Sequence, residues 1–184
     1  MDGASSSATS SPAATQAAST PGATTSSASA SASASASASV SGGAAGGNCQ
    51  AADLGFALRA KSGSSSQVTQ VVDLTNKGSA ACTMTGFPGV DLAGVANGQQ
   101  NYSWSLTRQA AKYAKVTLNP GGSAHFTLTY LPGTSGESDI TVTKRVITPP
   151  NTFTAAQLTW HQSVLLQDGA THPGTYISPV MPGA

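Results

Sequence analysis

The chain has 184 residues, a formal net charge of +1 and only 8% charged residues. No basic run is denser than Lys144-Arg145, so nucleic acid has no electrostatic footprint here and an anionic membrane surface is disfavoured. No apolar stretch reaches the ~18 to 20 residues of a transmembrane helix, so no transmembrane segment is expected in this chain.

Residues 1–47 consist almost wholly of Ser, Ala, Thr, Gly and Pro, with strict Ser-Ala alternation over 27–39 and Asp2 as the only charge. Alternation of period two fits a strand, but Ala and Ser supply no apolar face, so this stretch reads as a disordered low-complexity linker. A coil of that length spans roughly 40 Å on average, which suits a spacer through a cell envelope. Met1-Asp2-Gly3 lacks the basic start and apolar run of a signal peptide. The following Gly3-Ala4-Ser5-Ser6-Ser7 resembles the residues after the lipid-modified cysteine of bacterial lipoproteins, so a lipid anchor upstream of residue 1 is an expectation.

The first aromatic residue is Phe56 and the first cation Arg59, which places a single folded domain at residues 48–184. Cys49 and Cys82 are the only cysteines, and an even count in a chain of extracellular-looking composition predicts one disulfide. Localisation is accordingly expected outside the cell or on its surface. After Cys49 the pattern becomes short alternating runs separated by Gly, Pro and Asn, the signature of an antiparallel all-β sandwich. Leu54, Phe56 and Leu58 share one face; Val68, Val72 and Leu74 share another, before a turn at Asn76-Lys77-Gly78. Cys82 and Met84 begin a third run. After Gly86-Phe87-Pro88-Gly89, Val90 and Leu92 form a short strand, and residues 93–101 read as a polar loop.

Further along, residues 108–115 are the only weak helical candidate. Val116 and Leu118 precede the turn Asn119-Pro120-Gly121-Gly122. The clearest alternation follows: Ala124, Phe126, Leu128 and Tyr130 point one way, while His125, Thr127 and Thr129 face water. Ile140 and Val142, Leu158 and Trp160, 164–166 and 176–180 supply the remaining strands, with Trp160 on an inward face.

Several of these segments together resemble a known family: Asn76-Lys77-Gly78, Cys82-Thr83-Met84-Thr85-Gly86-Phe87-Pro88-Gly89-Val90, Leu118-Asn119-Pro120-Gly121, Thr148-Pro149-Pro150 and Ser178-Pro179-Val180. They look like an actinobacterial domain of unknown function, numbered four-two-three-two, found in secreted proteins and lipoproteins with Ser/Ala/Thr-rich leaders. The resemblance runs from Cys49 to the C-terminus. It implies an immunoglobulin-like β-sandwich without an established activity. Many members carry a second cysteine pair in the C-terminal half, and this chain has none.

Chemistry is sparsely signalled. His125 is expected on a solvated face, and His161 and His172 could meet Asp168 only through a turn, so neither a metal site nor a cofactor is expected. No G-x-S-x-G elbow occurs and the carboxylates are scattered, so the chain is read as non-catalytic. Tyr102, Trp104 and Tyr113 lie in a Gly-, Asn- and Gln-rich stretch of weak periodicity and are the candidate ligand-binding residues. Loop aromatics of this kind anchor a protein partner or stack on a sugar ring. A protein or a cell-envelope glycan is therefore the expected partner class, with a structural or interaction module as the first reading and a glycan or small-ligand module as the second.

Overall fold

The computed structural model describes residues 46–134, 138–171 and 173–183. The segment read as a linker lies outside the described residues, apart from Gly46 and Gly47. These two already belong to the folded part: the Thr83 amide donates to the Gly47 carbonyl (3.1 Å), and the Cys49 amide to the Thr83 carbonyl (3.0 Å). Beside them Cys49 and Cys82 form the expected disulfide.

The alternating runs become strands β1 (Leu54–Leu58), β2 (Ser62–Gly63), β3 (Val68–Asn76), β4 (Cys82–Thr85), β5 (Gly89–Ala96), β6 (Gln99–Ser105) and β7 (Thr107–Arg108). They continue as β8 (Lys115–Leu118), β9 (Ser123–Tyr130), β10 (Asp139–Thr148), β11 (Ala156–Leu165), β12 (Tyr176–Ile177) and β13 (Met181–Pro182). One sheet has the order β1-β3-β9-β12-β7, with β2 beside β3 and β13 beside β9; the other has the order β11-β10-β5-β6. β4 and β8 pair by themselves. Val72, Leu74, Phe126 and Leu128 from the first sheet meet Val90, Leu92, Ile140 and Val164 from the second in one buried cluster, so the fold is an all-β sandwich.

Several details depart from the sequence reading. The supposed polar loop at 93–101 is a tight hairpin, because Asn97 (φ 51°) and Gly98 (φ 72°) both take the left-handed conformation that a two-residue turn requires. The candidate helix does not form: Arg108 ends the short β7 and Lys115 opens β8, and β7 pairs with β12 in parallel, so the first sheet is mixed at that edge. Residues 156–165 form one continuous strand where two short ones were expected. His125 is half-buried rather than wet, with Met181 of β13 paired across from it.

The largest departure concerns Arg145. A bulge between Val142 and Lys144 shifts the register of β10 against both neighbours. Ile140 and Val142 point inward before it, Arg145 and Ile147 after it, so the arginine is fully buried. Its guanidinium stacks 4.3 Å above the Trp160 ring and donates to the Gln70 side-chain oxygen Oε1 across the core at 3.4 Å. Nε and Nη2 find no protein acceptor, and burial pushes the guanidinium down to about 10.

Two stability tests follow. Replacing both cysteines by serine removes a crosslink between positions 33 residues apart and lowers unfolding free energy by roughly 3 to 4 kcal/mol, read from denaturant melts. Arg145→Met keeps most of the volume without a buried charge and leaves stability unchanged or raised, whereas Arg145→Ala opens a cavity and is less stable than the Met variant by roughly 2 to 4 kcal/mol. Equal losses for Met and Ala would show that the contact of the cation with Trp160 outweighs its desolvation.

Candidate functional site

The structure separates the three candidate aromatics. Tyr102 and Trp104 alternate on one face of β6, as expected of an extended segment, but that face is the core side, opposite Gly94 and Leu92 of β5. Trp104 is 4% exposed and belongs to the same apolar cluster as Trp160. Tyr102 is half-buried and donates its hydroxyl to Asp168 (2.5 Å), an interaction that raises its pKa above the ordinary tyrosine value. Trp104 therefore has no ring face to offer a ligand, which corrects the expectation of a shared surface at these positions. The sequence could not show this, because the Asn97-Gly98 turn that makes β6 a strand was read as part of a loop.

Tyr113 is different. It is 59% exposed and stands edge-to-face against Phe87, with ring centroids 5.8 Å apart. The two rings come from separate connections, Phe87 from the β4–β5 turn and Tyr113 from the irregular stretch between β7 and β8. Gly86 makes the first connection possible: its φ of 96° is a backbone conformation that side chains oppose. Its carbonyl accepts from the Val180 amide (2.8 Å), fixing the C-terminal segment alongside.

A concavity of about 300 Å³ opens on one side of Tyr113, lined by Thr85, Phe87, Arg108, Pro150 and Asn151. On another side a concavity of about 310 Å³ is lined by Lys112, Val116 and the run from Pro179 to Pro182. The β10–β11 connection that supplies Pro150 and Asn151 is tied down at several points. Asn151 donates to the Thr85 carbonyl (3.3 Å), Asn48 donates to the Asn151 carbonyl (3.0 Å), and the Thr152 hydroxyl donates to the Pro149 carbonyl (2.9 Å). This pinned loop displays Phe153 with its side chain fully exposed.

The stretch of sequence that contains Tyr113 carries charge of one sign. No Asp or Glu occurs between Asp91 and Glu137, while Arg108, Lys112 and Lys115 fall in that interval. None of these three cations has an ion-pair partner among the described residues, where the ion pair present joins Arg59 and Asp73 (2.7 Å).

A third concavity, about 390 Å³, lies on the outer face of the four-stranded sheet, between Ala93, Gly94, Asn101, Ser103 and Lys144. Gly94 is required there, since a Cβ would stand 2.0 Å from the Thr141 carbonyl oxygen. No aromatic side chain lines this trough. His161 is exposed on β11, and His172 lies outside the described residues. Among the described residues, no three His, Cys, Asp or Glu side chains come together in a way that would hold a metal ion. No described helix is long and apolar enough to cross a membrane.

The family model described as a domain of unknown function (DUF4232) matches residues 49–177, and the chain belongs to that family. No curated protein matches the chain.

The two aromatics respond differently to truncation. Trp104→Ala loses roughly 3 to 5 kcal/mol of stability, as buried aromatic truncations do, while Tyr113→Ala changes it by less than about 1 kcal/mol. Denaturant midpoints of the two variants check this directly; a large loss at Tyr113 would make that residue part of the core.

Proposed function

We propose that this member of the DUF4232 family is a non-catalytic interaction module, secreted or held at the cell surface, that binds a protein partner through the surface around Tyr113. The observation that carries the reading is the pair of exposed rings: Tyr113 stands edge-to-face on Phe87, and Phe153 is carried on a connection tied to Thr85 of β4 and to Asn48. Tyrosine and phenylalanine offer large contact areas at low entropic cost, and holding them in place beforehand lowers the cost of association. The Cys49–Cys82 bridge supports an oxidising compartment. The Ser/Ala-rich stretch supports a tether.

A glycan or small polar ligand is the second reading. The trough between Asn101, Ser103 and Lys144 favours it, with amide, hydroxyl and ammonium groups around a floor of small residues. The buried position of Trp104 withdraws the stacking ring on which that reading first rested.

Photo-crosslinking separates the two. With p-benzoylphenylalanine at Tyr113 or Phe153 of the full chain, on the cells that produce it, both positions are expected to give adducts to one and the same protein. The same group at Thr159, on the outer face of the four-stranded sheet, gives none. Adducts formed only from position Gln100, which lines the trough beside Asn101, and carrying saccharide mass, would replace the first reading by the second.

A further inference from the structure

We propose that the two concavities flanking Tyr113 take an extended acidic peptide segment of the partner, one apolar side chain entering the Val116 side and one carboxylate meeting Arg108. The proposal rests on the interaction-module reading and adds the chemistry of the partner. The concavities differ in character. On the C-terminal side the walls are Val116, Pro179, Val180, Met181 and Pro182 with the Tyr113 ring, and Lys112 stands beside them, a mainly apolar lining suited to Leu, Ile, Met or Phe. On the other side Arg108 stands with the Thr85 and Asn151 positions beside the same ring. A guanidinium free of an internal carboxylate is the side chain that best matches a carboxylate in two parallel hydrogen bonds.

An extended chain places side chains of one face about 7 Å apart, enough to fall on either side of a single aromatic ring. The segment recognised therefore carries Asp or Glu two residues from an apolar residue. Lys112 and Lys115 extend the positive field along the same stretch, with no acidic residue from 92 to 136 to oppose it. An anionic polysaccharide shares the charge but not the apolar side chain, and the Val116 side, with its prolines, has little to offer hydroxyl groups.

The test is selection from a library of randomised octapeptides on the full 184-residue chain, followed by fluorescence anisotropy with the best labelled sequence. The selected sequences are expected to be enriched in Asp or Glu at two residues from Leu, Ile, Met or Phe. Binding should weaken about tenfold in Arg108→Ser and in Tyr113→Ser, the change for losing one good contact, and should fall as salt is raised from low to physiological strength. Melting temperatures of both variants confirm that they remain folded, and Arg108→Lys should recover part of the binding by restoring charge without the planar fork. Selected sequences without acidic bias, binding untouched by both variants, or equal competition by oligogalacturonate would each overturn the acidic-peptide assignment. If the crosslinks at Tyr113 and Phe153 persist in that case, the interaction module stands with a partner of other chemistry; if they are absent too, both fall.

Discussion

The register of β10 governs the interior of this sandwich. Before its bulge the strand runs Ile140, Val142 toward the core; after it, Arg145 and Ile147. One extra residue reverses the parity of the strand, so a guanidinium occupies a place that Lys144 or Val146 would otherwise have taken. A buried cation without a carboxylate is expensive, and its contacts with the Trp160 face and Gln70 recover only part of the lost hydration. The depressed pKa expresses this. Between about 10 and the ordinary arginine value the unfolded chain binds more protons, so the penalty is complete at neutral pH and is relieved only as pH climbs through 10.

The neighbours of Arg145 are arranged around that constraint. Trp160 presents its face to the guanidinium and its ring meets Tyr130 edge-to-face at 5.1 Å, which orders three large side chains at the junction of the two sheets. Burial raises the Tyr130 pKa while the Arg145 charge lowers it, and burial is the larger effect. Gln70, inward on β3, joins the first sheet to the second through its contact with Arg145. Specific polar contacts of this kind fix one relative placement of two sheets that apolar packing alone leaves less defined.

That fixed placement brings together the connections around Tyr113. The β10–β11 connection begins at Pro149, four residues after Arg145, and its hydrogen bonds to Asn48 and Thr85 set it beside the β4–β5 turn. The disulfide holds the opening of the domain against β4 in the same neighbourhood, where Thr83 bonds to both Gly47 and Cys49. Phe153 is thereby carried on backbone that has little freedom left to lose, a state favourable to binding.

The amino-acid sequence by itself determined the all-β class, the cysteine pairing, the turns at Asn76-Lys77-Gly78 and Asn119-Pro120-Gly121-Gly122, and the inward faces of β3, β9 and β11. Those features depend on local alternation, turn chemistry and a count of two cysteines, all of which are carried by neighbouring residues. Only the tertiary structure decided the inward position of Arg145 and the burial of Trp104. A bulge leaves no mark in a hydrophobic pattern, and Val142-Thr143-Lys144-Arg145-Val146 reads equally well in either parity until partner strands impose a register. The surface around Tyr113 was legible only in part. Tyr113 stood out as an aromatic among polar residues, but Phe87 and Asn151 come from two connections and Arg108 from β7, far apart in the chain, and only the packing of two sheets brings such residues to one place.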